Sequence, residues 1–195
     1  EKIDAFLVSK AEFILNAQKK FALQEQYKPQ PKQYVSGETF YLQGRALRLK
    51  VIRASKEQLY SDGVHLFLEV KDPQDFSKKE RMVMRFFDRQ CKEVFGEIVE
   101  ELYPVFQKYG VAVPSLRIRS MDTRWGSCLP GKGVITLNKR LLEAPRNCIE
   151  YVVMHELCHF IHPNHSKHFY AFLSMLMPDW KERKKVLDAN DTYYL

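Results

Sequence analysis

Residues 155 to 165 read His-Glu-Leu-Cys-His-Phe-Ile-His-Pro-Asn-His, and no other segment constrains the fold as tightly. On an α-helix each residue turns by about 100°, so His155 and His159 fall about 40° apart on one face, one turn from each other. Two imidazoles so placed can grip one divalent ion. Glu156 lies about 100° round from His155, within reach of a water at that ion but poorly placed as an equivalent ligand. A helix carrying this pattern is suited to metal-assisted hydrolysis with a glutamate base.

The third ligand follows from the chain beyond the helix. Pro163 biases His162 toward extended backbone, which predicts a helix end near Ile161, and Asn164 suits a left-handed turn. The chain then folds back and brings His165 toward the same ion. His159 and His165 are six residues apart, a spacing used by three-histidine zinc sites, although those carry glycine where this chain has His162. His168 is the rival third ligand or an outer-shell donor if Ser166 starts a new helix. Spacing favours His165. His162 reads as a solvent-facing residue at the helix end, and Cys158 as a small packing residue rather than a thiolate ligand. A closed structural zinc site has four protein ligands, whereas three leave room for water, so the pattern points to a catalytic Zn²⁺ site. Arg124, Tyr151, His168 and Tyr170 are the candidate oxyanion or outer-shell donors.

At 195 residues the chain is long enough for one compact unit with a sizeable core. No apolar run approaches the roughly 20 residues of a membrane span, which excludes a membrane partner of that kind. No secretory leader pattern is present, and Cys91, Cys128, Cys148 and Cys158 show no paired spacing, so the expected compartment is the cytoplasm. The chain begins at Glu1 rather than Met, from which a shortened N-terminus is expected. A net charge of +7 makes nucleic acid a candidate partner, but the basic residues are scattered. The cluster Lys181 to Lys185 is interrupted by Glu182 and reads as a solvated helix face.

Apolar residues from Asp4 to about Gln26 recur at helical spacing. Thr39 to Leu42 and Ala46 to Arg53 then form a predicted hairpin around Gln43-Gly44, with Leu47, Leu49 and Val51 inward. Val64 to Val70 reads as a strand after the turn at Asp62-Gly63. Ser77-Lys78-Lys79-Glu80 has the capping-box pattern, which predicts a long helix from Ser77 to a break at Pro104. Leu116 to Ser120 and Val134 to Leu137 read as strands, and the metal helix begins near Pro145, with Ile149, Val152, Val153 and Leu157 on its buried side. Gly126-x-x-x-x-Gly131-Lys132 is one residue short of a phosphate-binding loop. The β-type sequence after it predicts a turn instead.

Several motifs agree in order and spacing with one known family. Arg124-Trp125-Gly126-Ser127-Cys128, Ile135-Thr136-Leu137-Asn138, Pro145, Tyr151 to His159, and Asn164-His165-Ser166-Lys167-His168-Phe169 together resemble the YgjP-like metal-dependent hydrolases, relatives of the SprT/Spartan zinc metalloproteases. The resemblance runs from about residue 1 to the C-terminus. It implies an α+β, zincin-like fold, with an antiparallel or mixed sheet packed against the metal helix and a hairpin-containing N-terminal part. It also implies zinc at His155, His159 and His165, with Glu156 as the catalytic acid/base. Family members usually begin with a further basic, strand-forming segment, and this chain departs from them there. The expected division is residues 1–74 as the N-terminal helix and hairpin region and 75–195 as the hydrolase domain, within one compact unit.

Three functional readings follow. The first is a zinc metallopeptidase acting on peptide or protein laid along a sheet edge, with Val134 to Leu137 as the candidate edge. The second is a metal-dependent phosphohydrolase acting on nucleoside triphosphates. The third is a DNA-associated protein-binding module with structural zinc, against which an intact Glu156 argues.

Overall fold

The computed structural model describes residues 31–190 together with Lys10, Ala11 and Leu15. The helix expected across residues 4–26 therefore lies outside the described residues, apart from those three, which are helical.

The hairpin forms as its turn chemistry dictates. Strands β1 (Thr39–Leu42) and β2 (Arg45–Arg53) pair antiparallel, Leu42 opposite Arg45, across Gln43 and Gly44. Both turn residues have positive φ, 50° and 78°, the two-residue geometry that matches strand twist. Strand β3 (Gln58–Ser61), too polar to be read from alternation, pairs antiparallel with β4 (His65–Val70). The Asp62 carboxylate accepts from the backbone N–H of Val64 and His65 at the turn between them. β2 and β4 run parallel, which gives a four-stranded mixed sheet of order β1-β2-β4-β3. Its inner face buries Leu47, Leu49, Leu66, Leu68 and Val70 against Val83 and Phe86 of the long helix α1 (Phe76–Leu102).

Helix α1 is capped two residues earlier than the Ser77 pattern predicts. The Asp75 carboxylate accepts from Lys78 N at 2.9 Å, and a charged cap complements the helix dipole better than a hydroxyl. Tyr103 ends α1, and Pro104 opens the short helix α2 (Pro104–Gln107) as expected.

A second, three-stranded sheet has the order β5-β7-β6, with β5 (Ser115–Arg119) parallel and β6 (Gly126–Leu129) antiparallel to β7 (Val134–Asn138). Both sheets are mixed, as the expected fold class allows. This order also overturns the reading of Val134 to Leu137 as a substrate-binding edge. All five residues of β7, the polar Thr136 and Asn138 among them, are buried and the strand is hydrogen-bonded on both sides. The edge beside the metal helix is β6. Gly126 opens that strand, and the turn falls in the 3₁₀ segment Pro130–Lys132, closed by Gly133 at φ +62°. No phosphate-loop geometry is present there.

A further 3₁₀ segment, Lys139–Glu143, leads to α3 (Arg146–Cys158), the metal helix. It is followed by α4 (Lys167–Leu176) and α5 (Trp180–Asn190). Pro145 is the residue before α3 rather than its first residue. Ile149, Val152, Val153 and Leu157 are buried as expected, but so are most of their neighbours, because α3 is covered by β6, β7, α1, α4 and α5. Leu42 and Phe87 pack against the cores of both sheets. The hairpin turn is stitched to the 3₁₀ segment by Gln43 N donating to Leu142 O and Gly44 N to Glu143 O. Among the described residues no helix is long and apolar enough to cross a membrane.

Candidate metal centre

Helix α3 ends at Cys158, three residues before the predicted stop, and continues as a tight turn in which Phe160 N, Ile161 N and His162 N bond back to Leu157 and Cys158 carbonyls. His159 stays in helical conformation, so the one-turn spacing to His155 survives. Beyond Pro163, Ser166 caps α4 by accepting from Phe169 N, and His165 is placed immediately before this cap.

The three histidines converge. A nitrogen from each of His155, His159 and His165 lies within 4.8 Å of the others. His155 Nε2 and His165 Nε2 are 2.9 Å apart. His159 Nδ1 donates to the His162 carbonyl at 3.2 Å, which leaves its Nε2 unprotonated. The His162 backbone thus takes part, and its half-buried ring packs edge-on against Phe172. His168 is exposed beside His162, Pro163, Asn164 and Ser166, outside the cluster. Cys158 also lies outside it, fully buried, with its thiol pushed up to about 12 by burial.

The floor of the cluster is a residue whose role the spacing did not signal. The Phe169 ring, fully buried, has its centre 4.8 to 4.9 Å from all three imidazoles. Only its place one turn after the Ser166 cap hinted at an inward position. Burial and the neighbouring imidazoles hold His155 down to about 3, and burial also lowers His159. Neutral imidazoles offer lone pairs, the state a metal ion requires. Among the described residues the His155 Nδ1 is buried without a hydrogen-bond partner. Its ring is therefore held by packing, with Nε2 turned toward His165, and the donor set fits a borderline divalent ion.

Glu156 occupies the adjoining cleft, about 210 Å³, lined by Arg124, Trp125, Gly126, Tyr151, Val152, His155, Lys184, Leu187 and Asp188. It is 6% exposed, and burial raises it to about 8 against the pull of Arg124. Arg124 and Tyr151 therefore share the cleft with Glu156. Tyr170 is placed differently, its ring stacked on His165 and on Trp180, which in turn stacks on Tyr151. Burial pushes the Tyr151 hydroxyl above its ordinary range.

Sequence reasoning missed three contributors to this cleft. Gly126 lies against Glu156, and a glycine inside a strand is the signal for such close approach. Asn138, 2% exposed, donates to the carbonyls of Met121 and Arg124 and so holds the loop that carries Arg124. Lys184, read as part of a solvated face, pairs with Asp188 one helical turn away, and both reach the cleft from α5.

Comparison with known proteins places these features in a family context. The family model described as YgjP-like, metallopeptidase domain matches residues 1–190. No curated protein matches the chain. Among solved structures, the metallopeptidase zymogen of Pyrococcus abyssi abylysin is similar at 22% identity and a TM-score of 0.41, over 49% of this chain and 90% of that one. The zymogen of Methanocaldococcus jannaschii jannalysin is similar at 22% identity and a TM-score of 0.41, over 49% of this chain and 88% of that one.

Proposed function

The chain belongs to the YgjP-like metallopeptidase domain family, and from that premise we propose that it is a zinc peptidase in which His155, His159 and His165 hold the ion and Glu156 is the general base. The observation that carries this reading is the convergence of three imidazole nitrogens within 4.8 Å beside a buried carboxylate. A zinc ion held there supplies the Lewis acidity that makes water a nucleophile at neutral pH and polarises the scissile carbonyl.

Glu156 accepts the proton of the attacking water and returns it to the leaving amine nitrogen. Arg124 and Tyr151, around the same cleft, are the candidate donors to the developing oxyanion. Peptide is laid along β6, which is hydrogen-bonded to β7 on one side and has its other edge available for strand addition beside α3. Trp125, Tyr151, Val152 and Leu187 form an apolar wall for a side chain next to the cut bond. Four free cysteines suit a reducing compartment, and we place the protein in the cytoplasm.

The test is Glu156→Gln compared with the parent on casein and a mixed peptide library, with and without chelator. The variant should keep its zinc and lose peptide hydrolysis by about 10² to 10⁴-fold. Undiminished hydrolysis in a zinc-loaded variant would remove Glu156 from the role. Chelator-sensitive hydrolysis of nucleoside triphosphates in place of peptides would redirect the site to phosphoryl transfer.

A further inference from the structure

The cleft beside Glu156 shares Lys184 and Asp188 with an open groove of about 500 Å³. This groove runs along helix α5 and is lined by Trp180, Lys181, Lys184, Lys185, Asp188 and Ala189. Residues 181, 184, 185 and 188 are spaced three or four apart, so they stand on one face of the helix. That face borders the cleft proposed to take the peptide.

The charges on this face do not balance. Lys184 is paired with Asp188 one turn away, and both side chains are about half exposed. Lys181 and Lys185 are exposed, and neither forms an ion pair with a described residue, whereas Arg183 on the same helix pairs with Asp179 and Glu150. Lys181 lies over the Trp180 indole, its Nζ 5.8 Å from the ring centre, which draws that ammonium toward the groove. The uncharged side chains in the lining are Ala189 and Trp180, the latter 9% exposed, so the groove holds no pocket for a large apolar side chain.

We propose that this face of α5 selects an acidic peptide as substrate, with glutamate or aspartate side chains near the cut bond meeting Lys181 and Lys185. The inference rests on the peptidase reading and narrows it to a substrate class. Two uncompensated cations attract a carboxylate and repel a lysine, so they act on encounter and specificity more than on the chemical step. A basic side chain finds no partner in the groove, because Asp188 is already engaged by Lys184. A nucleic acid is disfavoured too. Tracking its backbone takes several phosphate contacts, and this face offers two uncompensated cations beside a carboxylate.

The probes are fluorescein-labelled peptides of one scaffold that carry glutamate, glutamine or lysine at the same positions, and their binding to the full chain is read by anisotropy. Chelator is present, so that no carboxylate is captured at the histidine cluster. The glutamate peptide should bind about 3 to 20-fold tighter than the glutamine peptide, since an exposed ion pair contributes up to about fivefold and two are formed. This preference should fade as sodium chloride is raised from about 0.05 to 0.5 M. Lys181→Glu combined with Lys185→Glu should reverse the order in favour of the lysine peptide. Both positions are exposed, and circular dichroism confirms that the variant is folded. With zinc restored, the same ranking should appear in KM rather than in kcat. The inference is overturned if the glutamate and lysine peptides bind alike, if the double variant keeps the parent's order, or if a single-stranded oligonucleotide binds more tightly than the glutamate peptide. Selective binding without hydrolysis of any peptide would sink the peptidase reading and leave the groove's preference standing, whereas hydrolysis without selectivity would do the opposite.

Discussion

Gly126 and Glu156 approach so closely that a Cβ at residue 126 would lie 2.8 Å from Glu156 Oε1 and 2.9 Å from its Cγ. Strand β6 therefore presses its backbone on the Glu156 carboxylate, and only glycine permits it. Gly126→Ala should displace the carboxylate while leaving the three histidines in place. A misplacement of about 1 Å can cost roughly 100-fold in rate. The expected result is a fall in kcat for peptide hydrolysis of about 10 to 100-fold with metal content unchanged, read by peptide assay and metal analysis. Unchanged kcat would mean that Glu156 does not work from this position.

The histidine cluster distinguishes His165 from His168. His165→Ala should lower zinc affinity by more than about 100-fold, since even an outer-shell loss costs 10 to 100-fold. His168→Ala should leave it within about threefold of the parent, because the residue stands outside the cluster. Competition with a chromophoric chelator measures both. Zinc at 100 times its Kd should also stabilise the chelator-treated protein by about 2.7 kcal/mol, seen as a rise in Tm. The reverse ranking of the two variants would transfer the third ligand to His168.

Asn138 holds the loop over the cleft with a side chain that donates to Met121 O at 2.7 Å and Arg124 O at 2.9 Å. Asn138→Ala leaves both carbonyls without that donor. The expected loss is about 2 to 3 kcal/mol, measured by urea unfolding. A loss below about 0.5 kcal/mol would show that water replaces the amide without cost.

Glu143 sets a pH dependence of stability. Burial raises its carboxyl from 4.5 to about 7, opposed by Arg140 and Lys32; the buried Cys91 thiol and the Lys139–Asp88 pair are its other ionisable surroundings. The folded state thus holds this proton more tightly than the unfolded chain. Its contribution is fully present below the unfolded value and is lost as pH rises from about 4.5 through 7, staying constant above. At about 1.4 kcal/mol per pH unit the change is on the order of 3 to 4 kcal/mol. Relative to Glu143→Gln, which carries no such proton, the parent should lose stability across this window. Parallel unfolding curves at every pH would contradict the assignment.

Much of the site was legible because its determinants are local. Helical periodicity alone puts His155, Glu156 and His159 where they are found. The break at Pro163 and the cap at Ser166 bring the chain back within a few residues, so His165 could be favoured on spacing. The hairpin at Gln43-Gly44 was legible for the same reason, since turn chemistry acts over two residues. Where local signals competed, sequence reading chose wrongly. Ser77 matched a capping box, but the Asp75 carboxylate bonds Lys78 N and starts the helix earlier.

What the chain determines by itself, then, is the way its histidines and glutamate are spaced on a helix and turn, and with it the chemistry they can perform. Only the tertiary structure decided that β7 lies in the middle of its sheet and β6 at the edge, that Gly126 meets Glu156, and that Phe169 underlies all three imidazoles. Likewise, Lys184 and Asp188 line the cleft while remaining exposed, as a solvated face should be. These are contacts between residues distant along the chain, selected by which faces bury together. Periodicity marks a buried face, but it does not name the element that will cover it.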